Sequence, residues 1–189
     1  MTKYRLSLPA TTPEEADPQA KIVLDDAKTN MGMVPNMYAN MANSPGLLTT
    51  YSDGYNRFRE NSGFSPAEQE TVLLTISRHN GCAYCMAAHS MIADKVSGVA
   101  ADDLKALRNG ETLPDDKLNC LNVFTRHLLE SHGLPGEDEV KQFLAAGYTE
   151  RHILEIVLAM AVKLLSNYSN HLFETKVDDA FADYTWSTV

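Results

Sequence analysis

Cysteine is scarce in this chain of 189 residues, which holds only three. So few thiols exclude a disulfide framework, and a hydrophobic content of 44% is enough to bury the core of one ordinary domain without such help. Clustered basic residues are missing too. The formal net charge is -9 and no run of Lys and Arg offers a phosphate-binding surface, so nucleic acid is not an expected partner. Long hydrophobic runs are absent. The most apolar segment, ILEIVLAMAVKLL from Ile153 to Leu165, is interrupted by Glu155 and Lys163 and falls short of the roughly 20 residues that cross a bilayer. The first thirty residues carry neither an apolar signal core nor an Arg-rich transit pattern, which predicts a cytoplasmic protein with no membrane partner. In that compartment a close cysteine pair points to metal or redox chemistry more than to a staple.

Alternating runs of β-branched residues with hairpin turns are also lacking, and apolar residues recur at helical spacing, so the expected fold class is all-α. A single domain over residues 1–189 is expected, with an extended segment at 1–17 and a core at about 30–180. The spacing predicts helices from Pro18 to about Thr29 and from Pro45 to Arg59, with Ser44 as N-cap, and a turn-rich segment between them. The clearest start signal is SPAE, where Ser65 caps, Pro66 opens and Glu68 completes a capping box. Gly81 can end that helix in the left-handed conformation, so the cysteines open a new one. Further helices are expected near Ala100–Arg108, Pro114–Ser131, Pro135–Ala145, Thr149–Leu165 and Asn167–Phe181.

A weak internal repeat emerges at an offset of 85 residues, where ETVLLTISRHNGCAYC from Glu70 lies over EIVLAMAVKLLSNYSN from Glu155. Arg78 then matches Lys163, and the two cysteines fall on Asn167 and Asn170. One copy carries thiols and the other amides.

The chemistry concentrates in EQETVLLTISRHNGCAYCMAAHSM, from Glu68 to Met91. Cys82 and Cys85 are spaced C-x-x-C, and His89 lies one helical turn beyond Cys85, so the three side chains can converge. A helix N-terminus favours an anion and lowers a thiol pKa, an effect that should reach Cys82 most directly. His89 can take the proton of Cys85, directly or through water. Glu70, set among Val72, Leu73, Leu74 and Ile76, is expected to be partly buried and its pKa raised toward the range useful for proton relay. Two Cys, one His and Glu70 could instead ligate zinc, but no second C-x-x-C or H-x-H element is present to complete a structural site. Cys120 reads as a small buried hydrophobe. The five other histidines read as structural or solvated.

The pattern E-x11-C-x-x-C-x3-H, in a chain that also contains GMVPNMY and LSNYSNH, resembles the AhpD-like alkylhydroperoxidases of the carboxymuconolactone decarboxylase superfamily. The resemblance implies an all-helical bundle with an internal repeat, assembled as a homo-oligomer such as a trimer or hexamer. It implies a thiol peroxidase, free of cofactor and metal, that reduces organic hydroperoxides or hydrogen peroxide and is regenerated by a dithiol or protein reductant. Cys85 then matches the peroxidatic cysteine, Cys82 the resolving cysteine, and Glu70 with His89 the proton-relay pair. Tyr84 departs from the family's C-x-H-C pattern. A phenol is a poor base at neutral pH, so Tyr84 is expected to support the site by shielding the disulfide or by donating a hydrogen bond. Alternatives left open are an oxidoreductase for protein or lipoyl disulfides, a decarboxylase-like lyase, and a zinc-binding or redox-sensing protein without enzymatic activity.

Overall fold

The computed structural model describes residues 3–187, and among these it contains helices and no strand. The fold is the expected all-α class. In chain order the helices are α1 (Pro18–Met31), α2 (Asn36–Met41), α3 (Pro45–Asn61), α4 (Pro66–His79), α5 (Ala83–Lys95), α6 (Ala101–Asn109), α7 (Asp116–Glu130), α8 (Glu137–Ala145) and α9 (Glu150–Phe173). A 3-10 helix follows at Asp179–Tyr184.

Local signals set most of these starts. Asp17 accepts from the Gln19 amide at 2.9 Å ahead of Pro18. Ser65 and Glu68 make the reciprocal capping box, with bonds of 3.3 and 2.8 Å. Ser44 occupies the N-cap position of α3 but makes no side-chain bond there, leaving Pro45 as the effective signal. Gly81, at φ 68°, turns the chain out of α4, and Cys82 becomes the N-cap residue of α5.

Two elements differ from the sequence expectation. The segment read as turns contains α2, whose first amide, on Asn36, donates to Asp178 Oδ1 at 3.1 Å. That cap comes from 142 positions away and could not be read locally. The expected break at Ser166 is also absent, and α9 runs through it to Phe173. Ser166 returns its hydroxyl to the Val162 and Lys163 carbonyls, and Ser169 does the same to Leu165, so these polar groups are satisfied without unwinding the helix.

α4 is buried on every side from Glu68 to Ser77. It packs against α5 and α7, while α9 lies across α3 and α4. At the crossing of α3 and α9, a side chain on Gly54 would come within 2.9 Å of Val162, so the missing Cβ allows the close approach. That approach brings Lys163 of α9 toward the α3 face that carries Tyr55 and Arg59. Both cysteines belong to the apolar cluster built by α1, α2, α3 and Val162.

Candidate active site

Four helices meet at the cysteine pair. α5 supplies Cys82, Cys85 and His89, α4 supplies Glu70, α3 supplies Arg59 and Tyr55, and α9 supplies Lys163, Ser166 and Asn170. Cys82, Glu70 and Lys163 are fully buried, and Cys85 and His89 nearly so.

Glu70 uses both carboxylate oxygens. Oε2 meets His89 Nδ1 at 2.9 Å, and Oε1 accepts from Arg59 Nη2. Arg59 also donates to Tyr55 Oη at 2.6 Å and to Gln69 Oε1 at 3.1 Å, which fixes the guanidinium in place. Burial alone would raise the Glu70 carboxyl, but His89 and Arg59 outweigh it and hold the group below its ordinary value of 4.5. This corrects the sequence expectation of a raised pKa, because His89 and the Arg59 guanidinium, which comes from another helix, act together against burial. With Glu70 ionised, the favoured tautomer of His89 carries its proton on Nδ1 and leaves Nε2 as the free acceptor. Burial, helped by Lys163, keeps the imidazole neutral by lowering its pKa.

The two thiols are displaced in opposite directions. Burial would raise Cys85, yet the hydrogen bond from Cys82 and the charge of Lys163 carry it well below the usual thiol value. Cys82 is raised, first by that same hydrogen bond and then by burial. The dipole argument for Cys82 therefore does not decide which sulfur holds the charge. Cys82 is the N-cap residue, but its sulfur makes no capping bond. Asn170 Nδ2 lies 3.4 Å from Cys85 Sγ and 3.7 Å from Cys82 Sγ, and Ser166 Oγ lies 3.9 Å from Cys85 Sγ.

A pocket of about 590 Å³ opens beside this cluster, and Cys85 lines it while Cys82 does not. Four methionines and four tyrosines contribute to its wall, with Arg59, His89 and Lys163 among the polar groups. Tyr84 also lines the pocket, but its hydroxyl donates to Asp178 Oδ2 at 2.5 Å rather than turning to a sulfur. Burial and the facing Asp178 push its phenol pKa up, so it stays a donor. Its ring meets Phe181 edge-on at 6.2 Å, which ties the start of α5 to the C-terminal segment. Cys120 stands apart on α7, half-buried, with its thiol raised by burial.

Every site residue expected from sequence except Tyr84 thus falls into one connected cluster, and Tyr84 borders it. Arg59, Lys163 and Asn170 were not expected there. A signal for the latter two was present, because Lys163, Ser166, Asn167 and Asn170 form a polar stripe at helical spacing in the most apolar helix of the chain.

Residues 45–116 match the carboxymuconolactone decarboxylase family. Over that segment the chain is similar to the family, and its fold is AhpD-like. Its fold is similar to that of an alkylhydroperoxidase AhpD core protein, described as peroxidase-related, from Ralstonia eutropha JMP134. The TM-score is 0.81 at 17% identity, over 92% of this chain and 93% of the other. A peroxidase-related protein from Silicibacter sp. TM1040 gives a TM-score of 0.77 at 21% identity, over 96% and 97% of the two chains. A cysteine-to-alanine form of the debrominase Bmp8 in complex with 2,3,4-tribromopyrrole gives 0.76 at 16% identity, over 95% and 96%. No curated protein matches the chain. The matched segment, 45–116, contains Arg59, Glu70, both thiols and His89, while Lys163 and Asn170 lie outside it. No described helix is long and apolar enough to cross a membrane.

Proposed function

We propose that the protein is a thiol peroxidase acting on apolar organic hydroperoxides, with Cys85 as the attacking thiolate and Cys82 as the resolving thiol. The observation that carries this reading is that Cys85, the sulfur whose pKa is lowered, forms part of the pocket wall whereas Cys82 lies behind it. His89 Nε2 takes the Cys85 proton, and Glu70 and Arg59 fix the ring. The thiolate attacks the terminal peroxide oxygen and the O–O bond breaks. The alkoxide leaves as an alcohol, taking a proton relayed from solvent through His89, whose ring is neutral while the thiolate stands, and Cys85 becomes a sulfenic acid. Cys82 then attacks the Cys85 sulfur, gives up its proton, and water departs as the disulfide forms. An external dithiol, or a protein carrying one, reduces the disulfide and returns both thiols. The apolar wall supports an organic peroxide over hydrogen peroxide, because burying an alkyl or aryl tail contributes roughly 25 cal/mol per Å². Counting free thiols after one equivalent of cumene hydroperoxide tests the reading. Two are consumed per chain if it holds, and none if it fails.

A second reading uses the same two thiols to replace an aromatic bromine by hydrogen, with release of bromide and formation of the disulfide. The tyrosine-rich pocket and the fold shared with debrominase Bmp8 favour it. Bromide release from a bromopyrrole in single turnover distinguishes it from the first. Zinc binding by the same residues would appear as metal retained on purification and as lost activity after chelation.

Self-association belongs to the same proposal. The outer face of α9 exposes Leu154, Val157, Leu164, Tyr168 and Leu172, a near-heptad stripe along one helix edge suited to packing against its copy. Leu164→Glu should shift the protein to monomer in sedimentation if that face is the contact. The composition suits a cytoplasmic enzyme kept reduced between turnovers.

A further inference from the structure

Lys163 has no place in the reaction written above, yet it carries a cationic group into the core. It is fully buried, and its Nζ finds no hydrogen-bond partner among the described residues. A buried, unpaired ammonium is strongly disfavoured by desolvation unless an anion faces it. It shares one pocket wall with Cys85 and His89 of α5 and with Tyr55 and Arg59 of α3, and the nearest carboxylate of the site is Glu70 of α4, bound to His89 and Arg59. Glu70 is already shared between Arg59 and His89, so it cannot serve. The remaining anion is the Cys85 thiolate, which lines the same pocket as Lys163. Counted together, Arg59, Lys163, Glu70 and a Cys85 thiolate sum to zero, with His89 neutral.

We propose that Lys163 is the counter-ion of the Cys85 thiolate, and that loss of this pairing on oxidation makes the Cys82–Cys85 disulfide readily reducible. Closing the disulfide removes the only charge opposite Lys163 and leaves a buried cluster with one excess positive charge. The dithiol form is stabilised and the disulfide form is not. The two-electron balance therefore shifts toward the thiols, which frees the enzyme to be recycled by modest reductants. Asn170 completes the arrangement as a positioning residue, since its amide donor faces both sulfurs while its Oδ1 has no partner. The inference rests on the dithiol chemistry proposed above but does not require peroxide to be the oxidant.

The test uses the full chain with Lys163→Met and Lys163→Arg, and follows two quantities. Thiolate absorbance against pH reports the Cys85 titration, and equilibration with glutathione reports the disulfide. In Lys163→Met the titration should move up by at least one unit. The disulfide should become at least tenfold harder to reduce, which corresponds to about 30 mV for a two-electron couple. Lys163→Arg should hold both values near wild type. If neither quantity moves in Lys163→Met, or if Lys163→Arg moves as far as Lys163→Met, the proposal is overturned. Lys163→Gln gives the same readout should the methionine variant not fold. Neither measurement involves peroxide. A wild-type protein inert to hydroperoxides would sink the peroxidase reading alone.

Discussion

Asn170 donates toward Cys85 at 3.4 Å across a sequence separation of 85, which is also the offset at which the two similar stretches of the chain align. Cys85 and its counterpart in the second stretch are thus brought face to face. In one stretch a glycine breaks the helix and frees a cysteine pair at a new N-terminus. In the other the helix continues and presents amides in their place. One stretch supplies the two sulfurs and the other the polar groups that face them.

The two thiols should separate cleanly by mutation. Cys85→Ser is expected to abolish peroxide turnover. Cys82→Ser should react once and stall as a sulfenic acid, which a dimedone adduct in mass spectrometry would reveal. Cys120 stays free in the wild-type disulfide form, because only Cys82 and Cys85 are near enough to pair without moving the backbone. A stalled adduct on Cys82 in Cys85→Ser would reverse the assignment.

Glu70→Gln and His89→Ala should each slow the peroxide step by about 10²-fold, the scale of lost general-base help. Because the His89 pKa is lowered by burial, the wild-type rate should persist as pH falls through 6.5 and decline only below it. Stopped-flow rates between pH 4 and 8 decide this. A decline centred above 6.5 would show that His89 is not the base.

Stability should fall on acidification in two overlapping stages. The folded His89 pKa lies below its ordinary 6.5, so the unfolded chain takes up a proton first and stability starts to drop beneath that pH. The folded Glu70 pKa lies below its ordinary 4.5, so its stabilisation is complete above that value and is lost as pH falls toward the folded pKa. In Glu70→Gln the second stage should shrink, and the protein should lose about 3 kcal/mol at pH 7 because the partly buried Arg59 keeps its charge without its partner. Urea melts across the pH range provide the check.

Tyr84 anchors the C-terminal segment through Asp178, so Tyr84→Phe should lower hydrogen-exchange protection around the 3-10 helix while leaving the Cys85 titration in place. Tyr84→His should speed reduction of the disulfide near pH 7 with little effect on the peroxide step, since the base for that step is His89. An equal change in both half-reactions would remove position 84 from control of the resolving cysteine.

Much of this protein was legible in its sequence, because the decisive signals were local. The all-α class followed from apolar spacing, the start of α4 from Ser65, Pro66 and Glu68, and the end of that helix from Gly81. Each acts within one turn of the residues it governs. The grouping of Glu70, Cys82, Cys85 and His89 was legible for the same reason, since two adjacent helices joined by a tight turn must bring them together. Tertiary structure alone decided the charges. His89, joined by Arg59 from α3, turns an expected upward pKa shift of Glu70 into a downward one, while the hydrogen bond from Cys82 and the charge of Lys163 on α9 lower the Cys85 thiol. The continuity of α9 past Ser166 and the capping of α2 by Asp178 were equally non-local. Electrostatic interaction in a buried site depends on distance through space, and separations along the chain of 11 to 142 residues conceal it.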